Sequence, residues 1–346
     1  GNPIASTSLP TFPNNLGDAS DIQIDTSSPT ITSISAPDGL YSQGNTITLT
    51  AQLSEAIEAG KNIELTLDTG DVITFTTDGS DVVSADYTVG AGDNSTDLSV
   101  TKAAASGTVN DAAGNPFHAL LPAGLNLSDT SDVVVDTTPP TVVSIVPDLT
   151  SLNASQTATL TITLSEDSTD FDVADLAENT SGQFASFSGS ASSYTVEFTP
   201  GPDFEGTATI SVTNASFTDL AGNSFVAGST VATIDVDTKA PTIIGTPDDS
   251  DLSKGETATI TFTLSEDSTN FDDTVLTASN GTLSTVLGSG SSYTVIFTPT
   301  DDFEGTGGVT IAGGVLTDLA GNPNESSSVY LTIDTLAPTV TINSDK

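Results

Sequence analysis

The sequence predicts an all-β chain of tandem sandwich domains joined end to end into an extended rod. Three observations carry this expectation. The phrase Asp-Thr-x-x-Pro-Thr recurs four times, at Asp25–Thr30, Asp136–Thr141, Asp237–Thr242 and Asp334–Thr339, with intervals of 111, 101 and 97 residues. A fixed phrase at a regular period marks the joints of a repeat array. Between the joints, short segments alternate apolar and polar residues with the period of two of a half-buried strand, and clusters of Gly, Pro, Asp and Ser separate them. No stretch of helical periodicity competes with this pattern. About seven short strands per ~100 residues is the signature of an immunoglobulin-like sandwich.

Taken in order, residues 1–25 read as the tail of a preceding repeat or a linker, 26–136 as repeat 1, 137–237 as repeat 2, 238–334 as repeat 3 and 335–346 as the start of a further repeat. Each full repeat is long enough to bury its own core. In repeat 1 the alternation runs through Ile47, Leu49, Ala51 and Leu53. In repeat 2 it runs through Leu160, Ile162 and Leu164, then Tyr194, Val196 and Phe198, then Ala208, Ile210 and Val212. In repeat 3 Ile260, Phe262 and Leu264 copy the first of these strands, and Tyr293, Val295 and Phe297 copy the second. Proline at each joint (Pro29, Pro139 with Pro140, Pro241, Pro338) restricts the linker to few conformers.

Two more phrases keep register inside every repeat. Leu-Ser-Glu, at Leu53–Glu55, Leu164–Glu166 and Leu264–Glu266, is expected to end the second strand. Asp-x-Ala-Gly-Asn, at Asp111–Asn115, Asp219–Asn223 and Asp318–Asn322, is expected to precede the last strand. From the joint Asp to the Glu is 30, 30 and 29 residues, and from that Glu to the loop Asp is 56, 53 and 52. In a sandwich whose first strand leaves the N-terminal pole, the second strand returns to it, and the loop before the last strand lies there too. Three carboxylates distant in sequence then converge at the pole where the joint Asp enters.

Carboxylates held close are costly without a cation between them. An all-oxygen set with no His or Cys suits a hard ion, and flexible oxygen ligands describe calcium better than magnesium. The expected Ca2+ sites are Asp25/Glu55/Asp111, Asp136/Glu166/Asp219 and Asp237/Glu266/Asp318, with Asp334 opening a fourth. Asp167 and Asp267 are second-tier candidates. Asp203 and Glu205 in Pro-Asp-Phe-Glu-Gly, Asp302 and Glu304 in Asp-Asp-Phe-Glu-Gly, and the neighbouring Asp148 and Asp248 are expected at the opposite pole, as outer ligands of the next joint or as plain loop residues. Asp-x-Ala-Gly-Asn also reads as turn chemistry in its own right, since Asp, Gly and Asn favour turns for backbone reasons.

Composition narrows the function classes. The chain holds 46 acidic residues against five lysines, a formal net charge of −41. Such a chain attracts cations, repels nucleic acid and anionic membrane surfaces, and is expected to be monomeric. It has no cysteine, so disulfides and thiolate metal sites are excluded. No run reaches the apolar length of a membrane span. Catalysis is not expected: no nucleophile elbow or phosphate loop is present, and the single histidine, His118, has no counterpart in the other repeats.

The joint phrase, the Leu-Ser-Glu strand end and the Asp-x-Ala-Gly-Asn loop together resemble the bacterial immunoglobulin-like (Big-type) tandem repeats of giant RTX-type surface adhesins, in their calcium-dependent extender region. The resemblance implies a filament at the bacterial cell surface, exported by type I secretion, rigidified by external calcium, and projecting a distal ligand-binding domain for adhesion or biofilm formation. Its partners would be neighbouring repeats of the same chain and calcium ions. Repeat 1 departs from the pattern, with Ala56 after Glu55 and Asp93–Asp97 in place of the Asp-Phe-Glu-Gly loop. Two other readings stay open: a direct carbohydrate- or ice-binding module that uses the threonine face of Thr159, Thr161 and Thr163, and a calcium-independent spacer.

Overall fold

A computed structural model describes residues 24–213 and 217–342. Of the segment expected as a preceding tail, residues 1–23 lie outside the described residues, as do 343–346 of the expected next repeat. The chain divides into two compact units, one of residues 24–140 with 218–224 and one of residues 141–217 with 225–342. Among the described residues there are three separate apolar cores, one per repeat.

In the first unit the chain runs through β1 (Ile31–Ser35), β2 (Gly39–Tyr41), β3 (Thr46–Leu53), β4 (Asn62–Leu67), β5 (Val72–Thr76), β6 (Val82–Thr88), β7 (Val100–Ser106), a one-turn helix α1 (Leu127–Thr130) and β8 (Val133–Val135). One sheet has the order β1-β3-β6 and the other β5-β4-β7, while β2 pairs in parallel with β8. Ile47, Leu49, Ala51 and Leu53 of β3 all point into the core. The helix was not legible as a period. It is held by local capping: Asn126 accepts from the Leu127 amide at 2.7 Å, Asp129 completes a capping box, and Leu127 is fully buried.

The second unit contains two sandwiches. The first is built from β9 (Val142–Pro147), β10 (Ser151–Leu152), β11 (Ala158–Ser168), β12 (Leu176–Glu178), β13 (Gln183–Thr199), β14 (Glu205–Val212) and β15 (Val231–Asp237). Its sheets have the orders β13-β11-β9 and β10-β15-β14-β12. The second is built from β16 (Ile243–Pro247), β17 (Asp251–Ser253), β18 (Ala258–Ser268), β19 (Leu276–Ser279), β20 (Gly281–Leu283), β21 (Leu287–Pro299), β22 (Glu304–Ile311) and β23 (Ser327–Asp334). It repeats the arrangement as β16-β18-β21-β20 against β17-β23-β22-β19. In both, a short second segment of the opening strand pairs in parallel with the last strand. Every apolar residue of the predicted alternations is buried, from Leu160, Ile162 and Leu164 to Tyr293, Val295 and Phe297, and the intervening threonines lie outside the cores.

One expectation about strand ends needs correction. Leu-Ser-Glu does not end the second strand in repeats 2 and 3, because β11 and β18 run on to Ser168 and Ser268. The ladder slips on the way: Thr163 faces Ser193, and the next pair is Ser168 with Ala191, with the same slip between Thr263 and Ser268 in β18. The extra residues form a bulge, and a bulge re-aims side chains out of the regular alternation. Glu166 and Glu266 sit on that bulge.

Candidate metal centres

The loop Asp-x-Ala-Gly-Asn folds around its own aspartate. In repeat 3, Asp318 Oδ1 accepts from the backbone amides of Gly321 (2.7 Å) and Asn322 (2.8 Å), and Oδ2 accepts from Asn322 Nδ2 at 2.9 Å. Asp111 and Asp219 accept the matching bonds from Asn115 and Asn223 at 2.8–2.9 Å. All three aspartates are buried. The glycine takes φ of 95°, 90° and 96° at Gly114, Gly222 and Gly321, the left-handed region that favours glycine.

The same asparagine reaches the joint. Its Nδ2 also donates to the backbone carbonyl of the joint aspartate, Asn115 to Asp25 at 3.3 Å, Asn223 to Asp136 at 2.9 Å and Asn322 to Asp237 at 2.8 Å. The joint aspartate folds back on its own chain, with Oδ1 accepting the amide two residues on: Ser27, Thr138, Lys239 and, for Asp334, Leu336. That is an Asx turn, the local reason for Asp at the head of the phrase.

Leu-Ser-Glu is tied to the other end of the phrase. Ser54, Ser165 and Ser265 each exchange two hydrogen bonds with the terminal threonine of the joint. The serine Oγ accepts the Thr30, Thr141 or Thr242 amide at 2.8–3.0 Å, and the serine amide donates to the threonine carbonyl at 2.9 Å. The glutamate next in sequence is thereby fixed beside the joint.

These restraints bring the predicted ligands together within each unit. Carboxylate oxygens of Asp25, Glu55 and Asp111 lie within 4.8 Å of one another in the first unit, and those of Asp237, Glu266 and Asp318 do the same in the second. The middle set is divided between the units. Asp136 and Asp219, joined through Asn223, belong to the first, and Glu166 follows the pinned Ser165 in the second. Asp334 keeps its Asx turn and belongs to no such triad among the described residues.

The electrostatics are those of an uncompensated acidic site. Burial, then the charges of Asp237, Asp318 and Glu205, push the Glu266 carboxyl above its ordinary value, with Lys239 opposing. Burial raises Asp237 as well, joined by Asp318 and Glu205 and opposed by the Lys239 amide. Glu55 is raised by burial, Asp25 and Asp111. At Asp111 burial works upward but is outweighed by hydrogen bonds from Asn115 and the neighbouring amides, which hold it low. The most telling atom is Glu266 Oε1, which is sealed from solvent and has no hydrogen-bond partner. An orphaned buried oxygen of this kind costs about 1–3 kcal/mol, more when charged, and a hard cation is the kind of partner that would satisfy it. The donor set fits calcium: three carboxylates, with no nitrogen or sulfur ligand among them.

Sequence reasoning named the carboxylates and missed what aligns them. The Asn side chain, read from sequence only as turn chemistry, is the bridge between loop and joint. The second joint residue was also missed: Thr238 and Thr335 are buried, and their hydroxyls donate to Gly201 and Thr300 carbonyls at 2.8 Å while accepting the Phe204 and Phe303 amides at 2.9 Å. The signal was available, since Thr follows Asp in every copy of the joint.

The remaining acidic candidates divide. Glu205 and Glu304 face Asp237 and Asp334 across the ladder, whereas Asp203 and Asp302 occupy left-handed turns (φ 55° and 50°). Asp148 and Asp248 accept the Thr159 and Thr259 amides at 2.7 Å, tying the end of one strand to the start of its ladder neighbour. His118 donates its backbone amide to Pro29 at 2.9 Å, in keeping with a structural place for it.

Fold and site together define a tandem array of β-sandwich modules, with an acidic cluster at the joints that open repeats 1 and 3. The chain belongs to the bacterial Ig-like domain family, whose sequence profile matches residues 136–236 and 237–335. No curated protein sequence matches the chain. Among solved structures it is similar to a Ca2+-stabilized ice-binding adhesin of an Antarctic bacterium, with 18% identity, 92% of this chain and 77% of that one covered, and a TM-score of 0.36. It is also similar to a 1.5-MDa bacterial ice-binding adhesin (17% identity, 90% and 100% covered, TM-score 0.34) and to the Escherichia coli adhesin FdeC (11% identity, 87% and 96% covered, TM-score 0.34). Superpositions this loose transfer no function.

Proposed function

We propose that this chain is an extender segment of a bacterial surface adhesin, made rod-like by calcium bound at its joints and serving to hold a distal binding domain away from the cell. The observation that carries the reading is the buried, partnerless Oε1 of Glu266, a member of a carboxylate triad built from three separate segments of a repeat. Asp25, Glu55 and Asp111 would hold one ion and Asp237, Glu266 and Asp318 another. Calcium would supply charge neutralisation and a crosslink between joint, strand bulge and final loop. Without it the same carboxylates repel one another, and the prolines and the Asn, Ser and Thr hydrogen bonds are left to restrain the joints.

The role places the chain outside the cell, with type I export and a contribution to biofilm formation as the finer expectations. Among the described residues no helix is long and apolar enough to cross a membrane. The test is small-angle scattering of the chain in millimolar calcium and in chelator, with thermal melts alongside. A fixed maximum dimension and a higher melting point in calcium are expected. Identical profiles and melts would reduce the chain to a calcium-independent spacer.

A further inference from the structure

The repeat 3 cluster differs from its counterparts in what touches its asparagine. Asn322 Oδ1 accepts the backbone amide of Ala154, from repeat 2, at 2.9 Å, and Asn153 Nδ2 donates to the Ala320 carbonyl at 2.9 Å. Both donors belong to one turn, Asn153–Gln156, which follows β10 and is closed by the Gln156 amide on the Asn153 carbonyl and by the Asn153 amide on Gln156 Oε1. The turn presses close enough that a side chain at Gly321 would lie 3.1 Å from Asn153 Nδ2. As a result Asn322 is buried to 1% exposure, whereas Asn115 and Asn223 are half-buried.

Both donors of the Asn322 amide and one of its two acceptor positions are therefore committed. Its Nδ2 holds the Asp318 carboxylate and the Asp237 carbonyl, and its oxygen is held by repeat 2. Asparagine oxygen and nitrogen can exchange places by a flip of the amide, and only one setting serves the two acceptors in the site. The Ala154 amide, a donor, reinforces that setting from outside the site. The parallel pairing of the preceding strand aligns Asn153 with Ser42 in repeat 1 and Ser253 in repeat 3, and neither residue can reproduce the reach of the Asn153 amide.

We propose that the Asn153–Gln156 turn of repeat 2 is a positioning element for the cation site of repeat 3, so that one repeat sets the calcium affinity of the next. This rests on the cation reading above. Neither Asn153 nor Ala154 touches the ion; they act through Asn322. Partners that orient metal ligands typically contribute on the order of 10–100-fold in affinity.

The test uses the full chain and two variants in this turn. Asn153→Ser installs the residue found at the aligned positions. Ala154→Pro deletes the amide donor at the second position of a β-turn, where proline is well accommodated. Calcium chloride is titrated calorimetrically into each, with Glu266→Gln identifying the binding step that belongs to repeat 3. A weakening on the order of 10-fold or more confined to that step, largest for Ala154→Pro, is expected, with faster amide exchange at Gly321 and Asn322 in chelator. An unchanged step in both variants would overturn the proposal. If the parent chain takes up no calcium, the cation reading fails by itself, and exchange in chelator decides the rest. Acceleration at Gly321 and Asn322 would keep the turn as the element that sets the loop, and its absence would dispose of that as well.

Discussion

At the scale of single residues, the site is a contest between charge repulsion and alignment. Glu266 contributes a carboxylate that the ion-free protein would be better without, since its neighbours Asp237 and Asp318 already carry the same sign. Glu266→Gln is therefore expected to raise the melting temperature in chelator and to shrink the gain from added calcium, a reversal of sign that differential scanning calorimetry would register directly. A glutamate serving only as a solvated strand residue would change neither. Thr335 sits at the other extreme, a neutral hydroxyl at 1% exposure that ties the joint to the Asp-Asp-Phe-Glu-Gly loop. Thr335→Val keeps the shape and strands the Phe303 amide and Thr300 carbonyl, at a cost of about 1–3 kcal/mol. With about 4–8 °C of melting temperature per kcal/mol for a domain of this size, the loss in repeat 3 is expected to show in a thermal melt as several degrees, with or without calcium.

At the scale of elements, the strands were legible and their irregularities were not. Period-two alternation fixes which face of β11 and β18 is buried because one face must leave water, so Leu160, Ile162, Ile260 and Phe262 could be named in advance. The bulge that carries Glu166 and Glu266 leaves no such mark, since its extra residues sit outside the alternation. The carboxylate triads were legible because register was kept across repeats of differing length. The bonds that fix them were not, since Ser265 to Thr242 and Asn322 to Asp237 join segments 23 and 85 residues apart through side chains that also suit turns. Helix α1 was invisible for a related reason, being a single turn defined by its cap rather than by a repeating face.

At the scale of the whole molecule, the charge of −41 makes pH an informative probe. Glu55, Asp237 and Glu266 are held above their ordinary values in the folded chain. The folded state then takes up protons before the unfolded state does as pH falls from neutrality, so stability in chelator rises with mild acidification. Below about pH 4 the trend turns, because Asp78, Asp111 and Asp272, held low by hydrogen bonds, lose those bonds' contribution on protonation. In calcium the upper part of the curve is expected to invert, protons and the ion competing for the same oxygens. Melting curves from pH 7 to 3, with and without calcium, check both halves, and a monotonic fall in chelator would contradict the first.

The asparagine that closes each site has a consequence for how such a chain is delivered. Asn322 and the Asp237 carbonyl it grips stand at opposite ends of a repeat, so no partial repeat holds a finished site. A chain threaded through a narrow exit from either end would gain its ion-locked form in whole-repeat steps, each waiting for whichever of loop and joint emerges last. Until then the segment stays slack enough to pass. The lock would be set by arrival in a calcium-rich medium, and each completed step would oppose the chain's retreat.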